Sequence, residues 1–376
     1  MDGMNVCIIG GGVSGLILAN ILTQNDIKFT LFEAQNRVGK KLLLTGNGKC
    51  NLTNKKITSD NYNANVNQIL SINVEEFLNK NGLMTRSLEN RVYPYSESAN
   101  DVLSFLIKRI NEDNIKLNTK IETIEYIDNF FIVDNHKFTH LVICTGSNAT
   151  IGINSHNLIS KFNHKVTKLN PSLVPLKSDD NFLKSLNGIR VKVNLKIQVD
   201  GNIQFSEDGE LLFKNEGISG IVSMQASKVF ARNKFGFNNA YALIDLAPEI
   251  NNEKLKEIIS SFGLESMFRK AICVEINKQA EKLNKPIYKV VKEFKIKLSN
   301  TYGIKNAQVT SGGLDLKDFN DLVESKHIKN LYACGEVLDV DGDCGGYNIN
   351  FAIASSILVA KKLGAKIWLD SNIQYQ

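Results

Sequence analysis

Residues 4–33 read MNVCIIGGGVSGLILANILTQNDIKFTLFE and set a strand, a glycine turn, a helix, a second strand and an acid in one register. Val6–Ile9 is an apolar strand, Ile27–Phe32 its parallel neighbour, and the helix between them runs from Gly15 to about Thr23. The glycines have separate tasks. Gly10 turns the chain sharply, Gly12 admits a pyrophosphate against the backbone, and Gly15 lets the helix pack onto the strand. The helix directs the positive end of its dipole at the phosphates, and Glu33 stands where a carboxylate accepts from a ribose hydroxyl. The segment predicts a Rossmann-type dinucleotide site and leaves open which dinucleotide it holds.

The same theme returns twice. LVICTG (141–146) and LYACG (331–335) also carry an apolar strand straight into a glycine. In a doubly wound sheet the parallel strands end along one edge, where ligands bind. Strand ends so far apart in the chain predict one α/β sheet assembled discontinuously, from residues 1–170 plus 308–376. Between them, 171–250 is strand-rich text, with IRVKVNLKIQVDG alternating and Asp200–Gly201 and Asp208–Gly209 expected as hairpin turns. This reads as an inserted antiparallel, β-barrel-like domain. Residues 251–307 follow as a helical subdomain, charged and helix-periodic through YKVVKEFKIKLS. A helix over about 100–111, short strands from 114 to 145 turning at Asp128–Asn129, and a closing helix over 350–363 complete the expected elements.

Composition narrows the class. Of 376 residues, 43% are hydrophobic and 22% charged, ordinary for a globular protein. No apolar run is long enough for a membrane span, and the N-terminus lacks a signal peptide's pattern. The six cysteines form no CxxC and no zinc spacing, so reduced thiols and a cytoplasmic location are expected. The net charge of +6 reads as a mild excess spread along the chain, which predicts no nucleic-acid partner and no membrane. The acidic run Glu336, Asp339, Asp341, Asp343 superficially resembles a calcium loop but lacks its bidentate Glu, so no metal is expected.

Two further segments carry chemistry. AQNRVGKKLLLTGNGKCNLTN (34–54) is a glycine-rich loop laid out from the nucleotide site, and LYACGEVLDVDGDCGGYNIN (331–350) ends a strand and opens a helix. A nicotinamide dehydrogenase does not need a second glycine-rich strand end some 300 residues later. FAD is long and must be gripped along its length, so this arrangement favours FAD. The five histidines show no paired spacing and Cys50 has no second thiol beside it, so structural roles are expected for all six residues. Arg91, Tyr93 and Tyr95 fit either a substrate pocket or a packed loop. No catalytic base is legible.

Taken with NPSLVPL, GELLFKNEGISG and TSGGLDL, these segments resemble the bile-acid-reductase-like (BaiN-type) flavoproteins, a family that also includes aminoacetone-oxidase-like enzymes. The resemblance runs from about residue 4 to 365. It implies a Rossmann-type FAD domain interrupted by a β-barrel-like domain and a helical subdomain. It also implies that Gly10, Gly12, Val13, Ser14 and Gly15 hold the pyrophosphate and that Glu33 and Ala34 lie at the ribose. Lys40, Lys41 and Asn51 would lie along the cofactor, Ile121 would meet the adenine through its backbone, and Thr145–Gly146 would close over the nucleotide. Gly335, Glu336, Gly346, Asn348 and Ile349 would contact the diphosphate, ribityl and flavin end. The sequence departs from the family pattern at Lys40, where an Arg is usual, at Asn47, where a Gly is usual, and in the 146–156 loop. The implied activity is FAD-dependent hydride transfer on a small organic substrate, as reduction of an activated C=C bond with NAD(P)H as transient electron donor. An amine oxidase releasing H2O2 and an FAD-dependent tRNA-modifying protein are the alternatives.

Overall fold

A computed structural model describes residues 3–149, 156–232 and 235–367. The chain folds as two compact units, Met1–Leu169 with Val309–Gln376, and Asn170–Gln308.

In the first unit, strand β1 (Asn5–Ile9) leads through the glycine turn into helix α1 (Val13–Gln24) and strand β2 (Lys28–Phe32). β1 sits mid-sheet, parallel to β2 on one side and to His140–Ile143 on the other. Leu331–Ala333 adds parallel to His140–Ile143, Ile115–Lys116 adds beyond β2, and the hairpin Phe319–Asn320/Glu324–Ser325 forms an antiparallel edge. The chain leaves β1 in opposite directions across the sheet, so the end of β1 is a topological switch point, where such folds bind ligands. The three strand–glycine segments thus lie side by side, as the sequence predicts. Val6, Cys7, Ile8, Leu141, Val142, Leu331 and Ala333 are fully buried, which is why these strands read as continuous apolar text. The closing helix spans Tyr347–Lys362, three residues earlier than the sequence pattern suggests, and the helix expected over 100–111 spans Ala99–Ile107. Asp128 and Asn129 both have positive φ, as a tight hairpin turn between Ile127 and Phe130 requires.

The second unit is an antiparallel barrel with helices sharing its core. Its strand order begins at Phe294–Lys297 and ends at Asn300–Thr301, two segments separated by only two residues. That stretch pairs first with Tyr241–Ile244 and then with Leu176–Lys177. Between the two, the Leu298 N–H donates to Ala240 O and the Ser299 N–H to Lys177 O. One bent strand therefore closes the sheet on itself.

Two sequence expectations fail here. The helix in YKVVKEFKIKLS stops at Lys292. Phe294–Lys297 is strand, with Phe294 and Ile296 buried in the barrel and Lys295 and Lys297 alternating with them on the other face. Asp208–Gly209 is no turn. Both residues lie inside the strand Asn202–Lys214, opposite Asn194 and Val193, while Asp200–Gly201 does form the hairpin turn. A glycine is needed at 209 for packing: a Cβ there would lie 2.8 Å from Val222 Cβ, on the helix Ile221–Ala226.

Gly209→Ala is therefore expected to destabilise the protein by about 1–3 kcal/mol through overpacking. Adding Val222→Ala should recover most of the loss in thermal melts, whereas an unchanged melting temperature for the single variant would contradict this packing.

Candidate functional site

The strand ends can meet only because side chains are missing between them. A Cβ on Gly15 would lie 2.0 Å from Gly10 O, and one on Gly335 would lie 2.1 Å from Ser14 Oγ. The second strand end is thereby seated on the first turn of α1, and the Gly335 N–H donates to Ser355 Oγ of the closing helix at 2.9 Å. Gly12, the N-cap of α1, has no side-chain cap and no atom within 4 Å of where its Cβ would be. The first turn of α1 thus has no side-chain cap, as an anion site requires.

Glu33 is fixed at the end of β2. Its two carboxylate oxygens accept from the Gly11 and Gln35 N–H groups, each at 2.8 Å. Thr119, which donates its N–H to Glu33 O at 2.9 Å, brings Ile121 to the same end of the sheet. Ala34 and Val13 are half-buried beside it.

The loop after β2 is tied across the sheet edge. Lys41 Nζ donates to a carboxylate oxygen of Glu336 and, at 3.2 Å, to Ser147 Oγ. The Ser147 hydroxyl donates to Glu336 Oε1 at 2.7 Å, and the Thr310 N–H donates to the same oxygen at 3.0 Å. Lys40 instead donates to Gln35 Oε1 at 2.7 Å. Lys41 and Glu336 are thus brought together with each other, while Lys40 holds its own loop.

Further along, Gly346 caps the closing helix in the left-handed conformation without a side-chain cap. A Cβ there would strike Thr53 O at 2.5 Å and Asn51 Oδ1 at 2.9 Å. The NLTN segment therefore lies on the helix N-terminus, fastened by Thr53 Oγ1–H to Asn350 Oδ1 at 2.7 Å and Asn54 Nδ2–H to Gly345 O at 3.0 Å. Asn348 uses its side chain on its own loop, accepting from the Gly342 N–H and donating to Gly342 O and Asp343 O. Ile349, half-buried in the first turn, packs against the core of the unit. Asp339 and Asp343 accept from Thr167, Asn63 and Asn61. Among the described residues no acidic, histidine or cysteine group has the geometry of a metal site.

Four buried polar atoms in this region lack a hydrogen-bond partner: Thr145 Oγ1, Asn148 Oδ1, Asn51 Oδ1 and Thr310 Oγ1. Buried polar groups are rarely left this way, because each costs about 1–3 kcal/mol unpaired. They belong to the strand end at 145, the 146–156 loop, the glycine-rich loop and the TSGGLDL segment, beside two long helices with uncapped N-termini. The residues present fit an elongated ligand with phosphate, hydroxyl and amide groups, as FAD is. Ser147 and Thr310 are absent from the sequence-predicted set, although each lies in or next to a segment singled out there. Their convergence on Glu336 joins residues far apart in the chain and leaves no local signal.

Other candidates resolve as structure. Cys50 is buried with φ +58°, and burial pushes its thiol up to about 11, so it is not a thiolate nucleophile at neutral pH. His164 is buried against His327 and Phe319, and His327 Nε2 lies 3.1 Å from Asp318 Oδ1 at the antiparallel edge of the sheet. Burial, followed by the neighbouring His327, holds the His164 pKa below the ordinary histidine value. Arg91, Tyr93 and Tyr95 lie on the hairpin Thr85–Leu88/Arg91–Pro94 and just beyond it, and that hairpin pairs with Thr53–Asn54. One face of the hairpin shows Tyr95 (66% exposed), Met84 (59%) and Leu88 (43%), and Arg86 lies over the Tyr95 ring. Residues 150–155 of the 146–156 loop lie outside the described residues.

The HI0933-like protein Rossmann domain matches residues 4–362. A 3-dehydro-bile acid delta(4,6)-reductase of Clostridium scindens is 26% identical, the alignment covering 94% of this chain and 97% of that protein. A ribosomal RNA dihydrouridine synthase of Haemophilus influenzae is 25% identical over 94% of this chain and 96% of its own length. The solved 3-ketosteroid-delta4-(5alpha)-dehydrogenase of Rhodococcus jostii RHA1 superposes with a TM-score of 0.48 at 11% identity, covering 94% of this chain and 95% of that one.

Thr145→Val keeps the shape and removes the unpartnered hydroxyl. It is expected to leave the melting temperature of the FAD-free protein unchanged or raised, while weakening FAD binding about tenfold, equivalent to ~1.4 kcal/mol. Melts with and without FAD check both arms, and an unaltered FAD affinity would remove Thr145 from the cradle.

Proposed function

The chain belongs to the HI0933-like Rossmann-domain family and is an FAD-dependent oxidoreductase, and from that premise we propose that it reduces a C=C bond conjugated to a carbonyl, with NAD(P)H as electron donor. The observation that carries the cofactor reading is the set of buried, unpartnered oxygens of Thr145, Asn148, Asn51 and Thr310, together with two helix N-termini that lack side-chain caps. The reaction is supported by what the relatives are named for. A delta(4,6)-reductase and a dihydrouridine synthase each saturate a ring C=C that is polarised by a carbonyl.

Bound FAD would supply two-electron hydride chemistry. The chain's own residues bind and orient. Gly10, Gly12, Val13, Ser14 and Gly15 would offer backbone to the pyrophosphate, and Glu33, held by Gly11 and Gln35, would accept from the ribose. Gly146, Gly346 and Ile349 would complete the cradle. Lys41, Ser147 and Glu336 hold the loop over the strand ends, and because Lys41 and Glu336 neutralise one another, the cradle's positive potential would come from Lys40, which donates to the neutral Gln35, and from amides and helix dipoles. The face that carries half-buried Tyr93 and exposed Tyr95 would take the flat substrate ring by stacking.

Anaerobic stopped-flow tests the reading. NADPH should bleach the flavin band near ~450 nm, and a 3-oxo-4-ene steroid or a uridine-containing RNA should restore it without oxygen. Bleaching by aminoacetone but not NADPH would overturn the reductase in favour of an amine oxidase. Tyr95→Ala is expected to raise KM for the accepted substrate about fivefold with little change in kcat, as for the loss of ~1 kcal/mol of ring stacking.

A further inference from the structure

Arg91 is half-buried and, among the described residues, its guanidinium meets no acid and donates no hydrogen bond. The cations around it are matched: Arg86 and Lys49 share Glu97, and Lys55 pairs with Glu75. Glu89, the acid nearest to Arg91 in the chain, is exposed in the hairpin turn and enters no ion pair among the described residues. A guanidinium held partly out of water loses hydration that only an acceptor can replace, and this chain supplies none.

Its surroundings locate the missing acceptor. The strand Arg91–Pro94 alternates, with Val92 and Pro94 buried, so Arg91 and Tyr93 share the other face. Asn54 stands opposite Arg91 across the strand pair and donates its Nδ2–H to Gly345 O. A Cβ on Gly345 would lie 3.8 Å from Arg91 Nε, and one on Gly46 would lie 4.0 Å from Tyr93 Cε1. The guanidinium therefore stands at the N-terminus of the closing helix, and the Tyr93 ring stands against the glycine-rich loop. At the same helix end Asn51 is only 8% exposed, and its Oδ1 has no partner. A Cβ on the N-cap, Gly346, would lie 2.9 Å from that oxygen.

We propose that Arg91 is the oxyanion holder of this site: it donates to the carbonyl oxygen of the substrate's C=C–C=O group and takes up the charge that reduction places there. This assignment rests on the reduction proposed above. A hydride drawn from NAD(P)H forms a C–H bond at the β-carbon. The C=C electron pair then joins the α-carbon to the carbonyl carbon, and the C=O pair moves onto oxygen. A proton from solvent at the α-carbon completes the saturated carbonyl compound, and NAD(P)H ends as NAD(P)+. Negative charge thus develops on one oxygen, where a planar cation with several N–H groups and the positive end of a helix act together. The Tyr93 ring on the same face suits a flat conjugated ring, whereas a phosphate offers nothing to stack.

p-Nitrophenol imitates both the flat ring and the oxyanion, and its colour reports its ionisation. Bound to the FAD-loaded full-length protein, it should ionise about one to three pH units below the free dye. Arg91→Met should abolish the shift. Arg91→Lys should keep part of it, because the charge remains while the planar fork is lost. In anaerobic stopped-flow, Arg91→Met should slow reoxidation of the reduced flavin by the accepted conjugated carbonyl compound about a hundredfold, and Arg91→Lys less. Arg190→Met, which changes an exposed arginine of the second unit, should match wild type in both measurements. An unshifted dye in wild type, or the wild-type shift in Arg91→Met, would overturn the assignment. So would a fall in FAD affinity in Arg91→Met, read from flavin fluorescence, as large as its loss of phenolate affinity, since Arg91 would then belong to the cofactor cradle. An Arg91-dependent shift in a wild-type protein that NADPH does not bleach would leave the oxyanion site standing and contradict only the proposed reaction.

Discussion

Close approach at glycines, where no Cβ intervenes, is the constraint on which this molecule rests. Gly15 sits on the Gly10 carbonyl and Gly335 on the Ser14 hydroxyl, where a Cβ would lie 2.0 Å and 2.1 Å away. Those two approaches bring the first strand end, the first helix and a strand end from more than 300 residues later onto one point. The rest of the cradle follows from that convergence. Once Gly335 is seated, Glu336 is beside Ser147 and Lys41, and the closing helix can present its N-terminus to the NLTN segment.

The electrostatics of the site are largely dipolar, with Lys40, which donates to the neutral Gln35, as an added cation. Glu336 is matched by Lys41, Asp339 and Asp343 accept from neighbouring side chains, and Glu33 is held by amides. What remains without a side-chain partner is a set of backbone N–H groups and buried neutral oxygens. Such groups grip an extended cofactor over its length without a concentrated charge, and their strength changes little with salt because they are buried or fixed in the backbone.

How much of this was readable follows from the range of the interactions. The strand–glycine segments at 6–12, 141–146 and 331–335 were legible because a fully buried parallel strand is apolar throughout and its turn needs glycine. The Asp208–Gly209 pair misled because the same dipeptide serves a turn by its backbone freedom and a crowded strand by its missing side chain. FKIKLS misled because its alternating lysines continue a charged helical period, and only the barrel's closure makes it a strand. The Lys41–Ser147–Glu336 tie could not be read at all, since three separate loops supply it. The family resemblance named Lys41 and Glu336 as cofactor contacts without showing that they meet each other.

The sheet order also has a consequence for synthesis. The strand His140–Ile143 gains its second neighbour, Leu331–Ala333, only after the whole second unit has been made. At ~5–20 residues per second, roughly a quarter of a minute to a minute separates translation of Gly10 from that of Gly335. During that interval an apolar strand edge is uncapped and the cofactor cradle is half built. The nascent chain therefore cannot gain stability from its full cofactor cradle until the Gly335 segment has been made, and the barrel is free to fold first.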